Sequence, residues 1–90
     1  MELGHITITK TLKEHCEEHG IQVNVFLDQY VAHQWGELDQ EDIDANNAEL
    51  NEEAGHILAK YNLPSGEDIY IETSWNAEFR HTSIHFPSER

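Results

Sequence analysis

Midway along the chain the apolar residues change their period. Val23, Phe26, Leu27, Tyr30 and Val31 fall at i, i+3, i+4, i+7 and i+8, one face of a helix. From Ile57 onward the spacing is two. Ile57, Ala59, Tyr61 and Leu63 alternate with other residues, then Ile69, Ile71, Thr73 and Trp75, then Thr82, Ile84 and Phe86. Pro64-Ser65-Gly66-Glu67-Asp68 and Asn76-Ala77-Glu78 separate these runs as turns. Helices first and short-turned strands later confine the chain to one class. It is α+β, with two to three N-terminal helices packed on one face of a C-terminal three-stranded antiparallel meander.

The helix boundaries follow from their punctuation. Ile8, Leu12 and Cys16 recur every four residues, and Gly20 suits a C-terminal stop, so a helix is expected over 9–19. Thr9, or the Thr11-x-x-Glu14 box, would cap it. The alternation Ile6-Thr7-Ile8-Thr9 before it reads as an extended arm, with an extra strand as the alternative. A second helix is expected over 23–33, ended by Gly36 with Trp35 packed nearby. A third is expected over 40–51, with Asp39 as N-cap and Glu41 and Asp42 at the positive end of the helix dipole. Ile43 and Leu50 give that third helix only a thin apolar face, so it must be mostly solvated.

Ninety residues make a single domain, 1–90, with one modest core. No run approaches the roughly 20 apolar residues of a membrane span, and the N-terminal residues do not read as a signal peptide. One cysteine, Cys16, excludes an internal disulfide, and its place on the apolar stripe makes it a small core hydrophobe. A cytoplasmic protein is the expectation.

The charge balance is the informative part of the composition. Asp and Glu number 18 against 5 Lys and Arg, a formal net charge of -13. Direct binding to nucleic acid or to an anionic membrane is not expected, since both need a basic surface. Eight acids lie between Glu37 and Glu53 without an intervening Lys or Arg: Glu37, Asp39, Glu41, Asp42, Asp44, Glu49, Glu52 and Glu53. A one-signed face of this kind attracts a basic protein surface and speeds its capture. In its sharpest form the carboxylates imitate DNA phosphates toward a DNA-binding or defence enzyme. In its plainest form they keep a small domain soluble. Glu37, Asp39, Glu41, Asp42, Asp44 and Glu49 are the expected contact residues. The segment lacks the order of a calcium loop.

Seven histidines make the charge pH-sensitive, since protonating all of them would bring -13 to -6. His15 and His19 lie one turn apart, a spacing that can chelate a transition metal, though the H-E-x-x-H pattern is absent. They are weak metal candidates, and a small histidine-based metal- or ligand-binding protein is the alternative reading. No cofactor is expected. His81 and His85, with Ser83 between them, share one strand face, and Tyr70 and Trp75 lie on opposite faces by parity. An exposed Trp beside those histidines would mark a binding surface, and a free sheet edge would allow a homodimer. No nucleophile elbow, phosphate loop or nucleotide fingerprint occurs, so a catalytic role is not expected.

Three stretches together resemble a known group. They are Trp35-Gly36-Glu37-Leu38-Asp39-Gln40-Glu41-Asp42, then Asn46 with Leu50, then Leu58-x-x-Tyr61-x-Leu63-Pro64-Ser65-Gly66 continuing into Asp68-Ile69-Tyr70-Ile71-Glu72-Thr73. The chain is similar over roughly residues 8–75 to small bacterial proteins of plasmids and other mobile elements. Members are sometimes labelled plasmid-related proteins or restriction-system subunits. Ile43 stands where the group often has an aromatic, and the strand carrying Arg80, His81 and His85 matches less well. The resemblance implies a mobile-element setting and supplies no catalytic residues.

Overall fold

Both early helices close in the same way. The computed structural model describes residues 1–90. Helix α1 (Lys10–His19) begins where the Thr9 hydroxyl accepts from Leu12 N at 3.3 Å. At its end Gly20 adopts φ 65°, and Ile21 N reaches back to Cys16 O at 2.8 Å. Helix α2 (Val23–Val31) ends sooner than expected. His33, not Gly36, takes the left-handed conformation (φ 62°), and Gln34 N donates to Gln29 O at 2.9 Å. The His33 ring then stacks on Trp35 at 5.3 Å.

Gly36 has a different task from the helix stop expected of it. It forms a parallel bridge to Lys60, with Glu37 N donating to Lys60 O at 2.7 Å. Its φ is +77°, and any Cβ there would run into the Lys60 carbonyl. Helix α3 (Gln40–Glu49) follows. Asp39 is its N-cap by position, although the Asp39 side chain makes no capping bond.

The strands are β1 (His5–Ile8), β2 (Gly55–Asn62), β3 (Asp68–Trp75) and β4 (Arg80–His85), in spatial order β1-β4-β3-β2. The meander β2-β3-β4 is antiparallel as expected, but the sheet has four strands and is mixed. The N-terminal arm is a full strand, parallel to β4 with Ile6 opposite Thr82 and Ile8 opposite Ile84. The whole helical half intervenes between β1 and the other strands, which gives the chain the long crossover a parallel pairing requires. Pairing there also satisfies the outer backbone groups of β4.

Period-two parity sorts the sheet into two faces. Ile57, Ala59, Tyr61, Ile69, Ile71, Trp75 and Ile84 face the helices and are buried with Leu12, Cys16, Tyr30 and Trp35. A polar thread crosses this core. The Thr82 hydroxyl donates to Leu3 O (2.7 Å), which leaves its oxygen to accept from Thr73 (2.8 Å) and Thr73 in turn to accept from Tyr30 (2.7 Å). Every fully buried side-chain polar atom has a partner.

Helix α3 lies along the outer edge of β2. Asn46, only 7 % exposed, donates to Leu58 O at 2.7 Å and accepts from Leu58 N at 3.3 Å. Its amide thus replaces a neighbouring strand. With the Trp35–Glu37 bridge at Lys60, the β2 edge is occupied by its own chain, and β1 is the uncovered edge.

Candidate interaction surface

The acidic segment forms a ridge over α3. Glu37 and Asp39 stand on the loop before the helix, and Glu41, Asp42 and Asp44 stand on the helix itself, all five exposed. On an ideal helix, at about 100° per residue, Glu41 and Asp44 point away from the face that carries Ile43 and Asn46. Glu49 is different. It is half-buried, and its Oε2 accepts from His56 N at 3.4 Å, so it serves the start of β2. None of the eight acids between Glu37 and Glu53 makes an ion pair; the five ion pairs of the molecule all lie elsewhere. The ridge is firmly mounted. Asn46 ties α3 to Leu58, and Trp35 Nε1 donates to Asn47 Oδ1 at 3.1 Å.

The histidine pair on α1 is close but not a cage. The rings of His15 and His19 are 4.4 Å apart, and His15 Nε2 lies 2.9 Å from Ser65 Oγ. No group of three or more His, Cys, Asp or Glu side chains is placed to hold a metal ion. His15 lines an open cleft of about 480 Å³ with Glu67, Asp68, Phe86, Pro87 and Ser88. Cys16 is buried beneath α1, and burial pushes its thiol up.

The second polar surface is the sheet face away from the helices. His81 and Ser83 lie there as parity requires; His81 Nε2 is 3.0 Å from Thr7 Oγ1, and its ring stacks on His5. His85 shares that face but is 6 % exposed, so the row is not uniformly solvated. Its Nε2 lies 2.6 Å from Glu72 Oε1, while His56 Nε2 lies 2.7 Å from Glu72 Oε2. Arg90 Nε approaches the same carboxylate at 3.4 Å. Burial pushes the Glu72 carboxyl up, but hydrogen bonds from His56 and His85 and the charge of Arg90 together hold it below the ordinary carboxylate range. The sequence reasoning missed Glu72 and His56. The same alternation that exposes His81 places both on this face, but only the strand register shows that they meet. Trp75 is buried, donating to Glu52 O at 3.1 Å, so no exposed tryptophan joins this surface.

No protein-family model matches the chain, and neither a curated protein nor a solved structure does.

Proposed function

We propose that this chain is a non-enzymatic interaction module whose α3 ridge engages a basic protein surface in the place of DNA. The observation that carries the reading is the set of eight carboxylates between Glu37 and Glu53, none ion-paired, on and beside a helix bonded to the sheet edge. Carboxylates without an internal cation keep their field for an incoming one. The fixed helix holds Glu41, Asp42 and Asp44 in one arrangement, so little ordering cost falls on their binding. The contact residues are Glu37, Asp39, Glu41, Asp42 and Asp44, with Glu49 at the margin. The mobile-element resemblance would suit a DNA-binding or defence enzyme as the partner.

The test is capture from a bacterial host lysate on immobilised protein at low and high salt. A partner held at low salt and released at high salt is expected, because exposed charges are screened within about 10 Å at 0.1 M salt. The variant Glu41→Lys/Asp42→Lys/Asp44→Lys should lose that partner while keeping its fold. Retention of the same partner by the variant would sink the proposal.

A further inference from the structure

The C-terminal turn of the chain is fastened by Glu89 to the Thr9 hydroxyl, by Arg90 to Glu72, and at its root by the Phe86 carbonyl to His85 on the open sheet face. The 3-10 turn Pro87–Glu89 follows directly on β4. His85 Nδ1 lies 3.0 Å from Phe86 O, and its Nε2 lies 2.6 Å from Glu72 Oε1. A backbone carbonyl can only accept, and an ionised carboxylate can only accept. A neutral imidazole has one N–H, so either tautomer would set a nitrogen lone pair against an oxygen lone pair. Only the doubly protonated ring satisfies both contacts. Glu72 is in turn held ionised by its other neighbours, His56 and Arg90.

The Phe86 carbonyl is the junction of the turn. It also accepts from Glu89 N at 3.0 Å, while Glu89 Oε1 accepts from Phe86 N (3.1 Å) and from the Thr9 hydroxyl (2.9 Å). Arg90 reaches back over the Tyr70 ring toward Glu72. We propose that doubly protonated His85 is the latch that docks residues 87–90 on the sheet, and that loss of one ring proton releases them. The groups facing the latch are His56 from β2, Glu72 and Tyr70 from β3, and Arg90 and Glu89 from the tail, with the Lys60–Asp68 pair further along the same face. The docked tail also borders a cleft: Phe86, Pro87 and Ser88 form one wall of it, opposite His15, Glu67 and Asp68, so release of the tail would remove that wall.

The experiment is a pH titration of the ¹⁵N-labelled full chain, reading both ring nitrogens of His85 and the amide exchange of Glu89 together. The expected result is a doubly protonated ring wherever the tail is docked. After division by the intrinsic base-catalysed rate, Glu89 exchange should quicken about tenfold with the same midpoint as the His85 ring, the worth of one charge-assisted hydrogen bond. In His85→Gln the tail should no longer follow pH, whereas in His56→Gln it should still do so. A singly protonated His85 ring with the tail docked would overturn the proposal, as would a tail transition that persists in His85→Gln. Should His85→Gln fail to fold, the ring and tail signals of the unmodified chain decide alone.

Discussion

Asn46 carries more of this fold than its residue type suggests. Its amide satisfies both the N–H and the C=O of Leu58 on the outer edge of β2. Asn46→Ala should therefore cost about 2 kcal/mol, from two lost bonds and a backbone pair left without partners. Urea unfolding measures this, and a loss under about 0.5 kcal/mol would mean that water replaces the amide freely. Cys16 makes the opposite case. Its burial and raised thiol predict that a disulfide reagent labels it only as fast as the protein opens. Labelling at the rate of a free thiol in the native state would contradict that placement. Cys16 was legible in the sequence because its apolar neighbours Ile8 and Leu12 share its helical face. In the structure Asn47 takes the Trp35 contact, and Asn46 turns to the strand. Side-chain amides have no period, so which of two adjacent residues does what depends on tertiary placement.

Among the elements, those with a strong period were read correctly, and the errors fall where a partner decides. The strands β2, β3 and β4 show clean alternation and pair as expected. β1 shows the same alternation, but four residues with ambiguous spacing become a strand only because β4 offers them an edge. The end of α2 was misplaced because glycine is the usual left-handed residue, whereas here His33 takes that role and stacks on Trp35. Gly36 is instead required at the β2 bridge. Gly36→Ala should destabilise the protein by about 2 kcal/mol or more through its positive φ and its clash with Lys60. A thermal midpoint unchanged by that substitution would contradict the bridge. On β3, Glu72 gives the sheet a pH dependence with a definite sign. Its folded carboxyl lies below the unfolded value of about 4.3. Its stabilising contribution is fully present above that value and is lost as the pH falls through the folded one. Glu72→Gln should therefore be less stable than the unmodified protein at neutral pH, with the difference shrinking in acid. A constant difference across the acid limb would show that Glu72 acts by shape rather than charge.

At the scale of the whole molecule the charge is divided by face. The α3 ridge holds carboxylates without ion-pair partners, while the open sheet face carries His56 and His85 on Glu72 and, apart from them, His5 stacked on His81. The ridge was legible in the sequence as an uninterrupted acidic run, and its mounting was not, because it rests on contacts between α3, Trp35 and β2. The open face was half legible: parity places its residues, but the convergence of two imidazoles on one carboxylate needs the register of three strands. The ridge supports the central claim, that this chain occupies a basic surface in the place of DNA. The most direct measurement is competition. The partner retained from lysate at low salt is challenged with duplex DNA, and the amount still bound is followed. Release of the partner in proportion to added DNA is the predicted result, because one basic surface cannot hold both. A ternary complex of protein, partner and DNA would contradict the account, and so would the absence of any partner at low salt.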